Sequence, residues 1–190
     1  RQGMKDAAEV REHPLFVLPD DKLFLVDMSH AFDILFVRFE DAARQDQAFY
    51  NDRYQRHKAK WLEGKVGECL ARIFPKAALY QNLSYPDPDG AEGAVTELDA
   101  AVFWEPHLIL VEVKARRFRL DARLGKPAQL HSDLKVNLED AFKQAKRASR
   151  YLDSVGLAEF TERKTGRRLR FRPSALETVH LLTVNFDDLL

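Results

Sequence analysis

Leu108-Ile109-Leu110-Val111-Glu112-Val113-Lys114-Ala115 is the most apolar strand-like stretch of the chain, and Glu112 and Lys114 interrupt it. A near-continuous apolar run of this length predicts a central strand buried on both faces. With a period of two, Glu112 and Lys114 point to the same face. A carboxylate buried there needs a partner or a metal. The interruption therefore marks a candidate site.

Reading outward, Val95 to Trp104 forms the preceding strand and carries Glu97-Leu98-Asp99-Ala100; Pro106 marks the turn between the two. Antiparallel pairing across that turn brings Asp99 beside Glu112. Ala77 to Leu83 is a further strand, followed by the loop Pro86-Asp87-Pro88-Asp89-Gly90. Before it, Gln47 to Phe74 reads as helix in two pieces, with Leu62, Val66, Cys69, Leu70 and Ile73 on one face and Pro75 as its stop. After the central strand, residues 116–131 show no clear period. Ser132 is an expected N-cap, and Leu134, Leu138, Ala141, Ala145, Ala148 and Leu152 make a buried helical stripe that ends before Gly156. A basic loop or hairpin runs to Arg172, and Thr178 to Phe186 is the last strand. The order is helix, three strands, helix, strand. A meander with a helical crossover makes an α/β fold, a four-stranded mixed sheet flanked by helices. Upstream, Phe16-Val17-Leu18 and Leu23 to Val26 read as a hairpin, and Ser29 as the cap of a helix to Ala43. The expected organisation is an N-terminal extension, residues 1–58, and one domain, residues 59–190.

The 190 residues carry no net charge, but the charge is uneven. Residues 1–50 hold six basic and ten acidic side chains, whereas residues 143–172 hold ten basic and three acidic. A local basic excess is all that a phosphate backbone requires. One cysteine, Cys69, excludes a disulfide scaffold and a cysteine zinc cluster and suits a reducing, cytoplasmic setting. That residue reads as buried and inert. No apolar run is long enough to span a membrane. The six histidines lack ligand spacing, with His107 and His180 reading as structural, and Gly64 and Gly67 sit in a helical pattern rather than a phosphate loop. Phe32, Phe36 and Phe39 are expected in a core or an interface. A start at Arg1 and a strand-like close from Val184 to Leu190 fit a piece of a larger protein.

Two carboxylates and an ammonium in one small site suit Mg²⁺, a hard cation that takes carboxylate and carbonyl oxygens and keeps several waters; Mn²⁺ can substitute. Asp99, Glu112 and the Val113 backbone carbonyl are the expected ligands, with Lys114 orienting water and stabilising negative charge. The string acid-any-lysine is cheap by itself. Five of the twelve lysines have an acid two residues before them: Asp20/Lys22, Glu63/Lys65, Glu112/Lys114, Asp133/Lys135 and Glu162/Lys164. Only Glu112/Lys114 lies in a central strand beside an acid on a neighbouring strand.

In that context the chain resembles the PD-(D/E)xK nuclease superfamily, the restriction-endonuclease-like fold, over about Lys60 to Leu189. The resemblance rests on Trp61-Leu62-Glu63, Glu97-Leu98-Asp99, Glu112-Val113-Lys114 and Gln144-Ala145-Lys146-Arg147, and is nearest to the bacterial nuclease-related and resolvase-like branches. Leu98 replaces the family's proline before the aspartate. The resemblance implies an αβββαβ core and Mg²⁺-dependent cleavage of DNA, less often RNA, by one domain of a larger bacterial protein. It implies a helix glutamate acting through a metal-bound water, for which Glu63 fits better than Glu68, and support of the site by Gln144. Arg116, Arg117, Lys143 and Arg147 are the expected phosphate contacts. Tyr151 continues the line of Gln144 and Arg147. A nuclease fold that binds nucleic acid or a protein without turnover is the alternative, and a protein-interaction domain docking through the Phe-rich N-terminal segment is a third. A homodimer and neighbouring domains are both compatible.

Overall fold

The computed structural model describes residues 15–25, 27–119, 122 and 126–186. Val26 and residues 187–190, the expected ends of two strands, lie outside the described residues, as do residues 1–14 of the acidic segment. The chain divides into two units, Arg1–His57 and Lys58–Leu190.

In the first unit, β1 (Leu15–Val17) pairs antiparallel with β2 (Leu23–Leu25) across a turn in which Asp21 takes a positive φ of 58°. Helix α1 (Met28–Arg44) follows. Its capping acceptor is Asp27 rather than the expected Ser29: the Ser29 N–H donates to Asp27 Oδ1 at 3.2 Å. Glu40 is buried and accepts from Arg44 (3.0 Å) and the Tyr50 hydroxyl (2.9 Å). Met28, Phe32, Leu35, Phe36 and Phe39 stand exposed along α1, so the phenylalanines do not form a core of this unit. A short helical turn, Gln47–Phe49, and a π-turn, Tyr50–Tyr54, complete it.

Helix α2 (Gln55–Ile73) buries Leu62, Val66, Gly67 and Leu70. Cys69 and Ile73, expected on the same face, are exposed. The contact line runs through Leu62, Val66 and Leu70 to Phe74, and each four-residue step advances it about 40° around the helix. By the last turn it has passed Cys69 and Ile73.

Strands β3 (Leu79–Pro86), β4 (Val95–Trp104) and β5 (His107–Lys114) form the expected antiparallel meander. Helix α3 (Pro127–Leu134) and helix α4 (Asp140–Ser154) are joined by a π-turn, Lys135–Glu139. The helix therefore starts five residues before Ser132, with Pro127 pre-set for its first turn. The buried stripe runs Asp133, Asn137, Ala141, Ala145, Ala148, Leu152, not through Leu134 and Leu138, because the π-turn shifts the phase by a residue. Strands β6 (Ala158–Glu162) and β7 (Arg168–Phe171) are a hairpin, and β8 (Thr178–Asn185) runs parallel to β5 after the helical crossover. The sheet order is β7-β6-β3-β4-β5-β8. It has six strands where four were expected, because the basic segment extends the sheet beyond β3. Among the described residues no helix is long and apolar enough to cross a membrane.

One core lies between the sheet and α4 and includes Leu108, Leu110, Ala148, Tyr151 and Phe160. The other lies against α2 and includes Leu62, Val66, Leu70, Val102 and Val111. At Gly67 α2 comes close to β3, and a Cβ there would overlap the end of the Gln81 side chain. Gly64, one turn away, has open space. Gly64→Ala should therefore raise stability by about 1 kcal/mol through helix propensity. Gly67→Ala should gain less, because the Gln81 amide must swing aside, and Gln81→Ala in the same chain should restore the full gain. Urea melts of the four chains check this; equal gains at both glycines would refute the close approach.

Candidate active site

The β4–β5 ladder runs from Trp104↔His107 to Ala100↔Val111 and stops. The next pair would be Asp99 and Glu112. There the Asp99 side chain takes over from the backbone: its Oδ2 accepts the Val113 N–H at 2.7 Å. On the other side of Asp99, Gln81 pairs with Ala100 and Leu83 with Leu98, while Asn82 between them adopts φ 51°. Asn is among the few residues that tolerate this left-handed backbone.

Both strands change face at this level. In β4, Ala100 and Val102 face α2 and Ala101 faces α4, so strict alternation would turn Leu98 toward α2; it packs on the α4 side instead. In β3, Leu79 is on the α2 side, yet Leu83 and Tyr85 are on the α4 side. The two slips are matched, so the register survives while Asp99 is left where β4 parts from β5. This explains how an acid on β4 meets groups from both faces of the sheet.

Glu112 is buried, and its Oε1 has no hydrogen-bond partner. Burial, then the negative charge of Asp99, pushes its carboxyl up to about 8. Burial also raises Asp99, against the lowering effects of the Val113 N–H and Lys114. Lys114, on the same face of β5 as Glu112, donates its Nζ proton to Gln144 Oε1 on α4. Glu63 is half-buried one turn before Gly67, and its carboxyl is raised by burial and then by Asp99. Glu68 is exposed and paired with Lys65 at 2.7 Å. The structure thus brings Asp99, Glu112, Lys114 and Gln144 together, while Glu63 is near enough to feel the Asp99 charge but makes no hydrogen bond or ion pair with them.

The expected phosphate contacts are placed differently. Arg147 Nη1 lies 3.4 Å from Asp87, and Arg150 pairs with Asp89, so α4 holds the loop between β3 and β4. Lys143 pairs with Glu139 and Asp140 on its own exposed helix face. Arg116 lies 3.8 Å from Asp133, a fully buried acid that also takes the backbone N–H and side chain of Arg119. The Arg117 guanidinium lies over the Phe186 ring. Tyr151 is structural: its hydroxyl accepts from Glu159 N (3.0 Å) and donates to Glu159 O (3.3 Å). His107 bonds Thr178, whereas His180 is exposed.

Among the described residues no group of three or more His, Cys, Asp or Glu side chains is arranged to hold a metal. The two carboxylates with the unpartnered Oε1 of Glu112 still fit a cation that keeps most of its waters, which needs only one or two carboxylates. No family model matches the chain, and no curated protein or solved structure matches it.

The Glu112 carboxyl gives a signed pH effect. Its folded value of about 8 lies above the ordinary 4.5. The neutral form is therefore favoured on folding: its contribution is complete below about 4.5 and is lost as pH rises to about 8. Without divalent metal, the Tm of the unsubstituted chain should fall across this window, and Glu112→Gln, neutral at every pH, should flatten that fall. A decline of the same size in both chains would place the titration elsewhere.

Proposed function

We propose that this chain carries a Mg²⁺-dependent nuclease domain that cleaves DNA, with Mn²⁺ able to substitute, on a restriction-endonuclease-like core formed by α2, β3, β4, β5, α4 and β8. The observation that carries the reading is the convergence of Asp99, Glu112 and Lys114 where the β4–β5 ladder opens, with Glu112 Oε1 buried and unpartnered. An orphaned acceptor in a buried acid pair costs stability unless something occupies it.

Asp99, Glu112 and the Val113 carbonyl would hold the cation, and Glu63 would reach it through water. Bound there, the cation supplies an acidified water and neutralises charge on the phosphate. The chain's own groups do the rest. Val113 N–H fixes the Asp99 carboxylate where the β4–β5 ladder opens. Gln144 accepts from Lys114 and thereby holds the ammonium on the Glu112 face. From there Lys114 can donate to a non-bridging phosphate oxygen and orient the attacking water, stabilising charge that develops in the transition state. Glu63, poised by its raised carboxyl, can take a proton from a water at the α2 side.

The test is cleavage of plasmid and single-stranded DNA in Mg²⁺ or Mn²⁺. Asp99→Ala and Lys114→Ala should each lose about a hundred- to a thousand-fold in rate or more, with the far-ultraviolet dichroism of the folded chain retained. Gln144→Ala should lose less, because it acts through Lys114. Equal activity in Asp99→Ala would overturn the assignment, and DNA binding without turnover in either metal would favour a non-catalytic module.

A further inference from the structure

The basic segment after α4 contains six cations, and the structure separates them. Arg163 pairs with Glu97. Arg167 bonds the carbonyls of Leu79 and Ala77 and stacks over Tyr80. Arg168 and Arg170 both pair with Glu159. Arg172 lines a separate cavity of about 450 Å³ with Phe103 and Phe171 at the far end of the hairpin. Lys164, at the β6–β7 tip, is exposed and engages no ion-pair or hydrogen-bond partner among the described residues.

Its backbone, by contrast, is fixed. Glu162 N–H donates to Arg167 O (2.9 Å) and Gly166 N–H to Glu162 O (2.8 Å), with Gly166 at φ 71° closing the turn. The Glu162 carboxylate accepts from Gln81 N–H and from Thr165. Arg163 N–H donates to Asn82 O at 3.0 Å. Asn82 is the kinked residue opposite Asp99, so the tip is docked on the same distortion that opens the site. With strands about 4.8 Å apart and the order β6-β3-β4, the tip lies roughly 10 Å from Asp99 across the sheet. Glu63 feels both groups: its carboxyl, raised first by burial and then by Asp99, is drawn down by the Lys164 charge.

Glu63 and Asp99 add negative charge near this region, which works against the approach of a polyanion. An anionic strand entering here meets Lys164 as an exposed cation with a rigid base and no ion pair or hydrogen bond of its own among the described residues. We infer that Lys164 is a backbone-phosphate contact that holds the DNA strand beside the site. The inference rests on the nuclease reading for its substrate, and its chemistry is sequence-independent. A phosphate contact releases counterions, and removing one should lower the slope of log affinity against log salt by about 0.9 on duplex DNA.

The test uses the full chain, a labelled 20-base-pair duplex and EDTA to prevent metal-dependent turnover. Lys164→Ala should show the smaller slope, and Lys164→Arg should retain the original one. With Mg²⁺, Lys164→Ala should raise KM while kcat stays within roughly two-fold, the pattern of lost uniform binding. A chain that cleaves or binds DNA but keeps its slope in Lys164→Ala would overturn this inference and leave the nuclease reading standing. Cleavage lost in Asp99→Ala with the slope changed in Lys164→Ala would support both. An unsubstituted chain with no affinity for the duplex would overturn both.

Discussion

The bond from Val113 N–H to Asp99 Oδ2 is the constraint on which the site depends. In an undisturbed antiparallel pair that N–H would face a backbone carbonyl. Giving it to a side chain ends the ladder at Ala100↔Val111 without leaving a buried donor unsatisfied. The strands can then separate at the level of Asp99 and Glu112, and the space between them is lined by carboxylates rather than by backbone. The matched change of face in β3 and β4 follows from the same need. A single slip would break the register, whereas paired slips at Asn82 and Asp99 keep Leu83 opposite Leu98 and both in the α4-side core. The strained backbone therefore sits beside the chemistry, with well-packed strands on either side.

The charge arrangement is costly in the same place. Burying Glu112 near Asp99 destabilises the charged form of both. Glu112 Oε1 is also left without a hydrogen-bond partner. Elsewhere the buried acid is handled differently. Asp133 is fully buried but takes the Arg119 N–H, the Arg119 side chain and the distant edge of Arg116. The contrast separates an acid that holds a segment in place from one that the fold leaves incompletely paired.

The meander, the crossover helix and the parallel last strand are legible in the sequence because apolar period and turn residues report burial directly. Glu112 and Lys114 are legible as charges in an otherwise apolar strand, and Asp99 as the acid that an antiparallel turn places across from them. The rest depends on features without a sequence period. A positive φ at Asn82 has no local signature stronger than the residue type itself. The π-turn at Lys135–Glu139 shifts the buried stripe onto Asp133 and Asn137, which a search for apolar residues passes over. Cys69 looks buried on a helical wheel but is turned out as the contact line advances. The basic run is compatible with a loop or a hairpin, and only pairing with β3 shows that most of its arginines are occupied within the fold.

The acid-any-lysine string illustrates why location outranks pattern. Of the four other pairs, Asp20/Lys22 closes an exposed turn and Asp133 anchors α3. The remaining two contribute single members to the site's surroundings: Glu63 without Lys65, and Lys164 apart from Glu162. Lys65 is drawn to Glu68 along the helix, and Glu162 is spent on Gln81 and Thr165. What selects the useful member is the partner that the fold supplies to the other. A helix surface neutralises Lys65 three residues away, so Glu63 is free to face Asp99; a turn captures Glu162, so Lys164 projects from a rigid tip. The region is built from α2, β4, β5, α4 and the β6–β7 turn, and no one segment carries its chemistry.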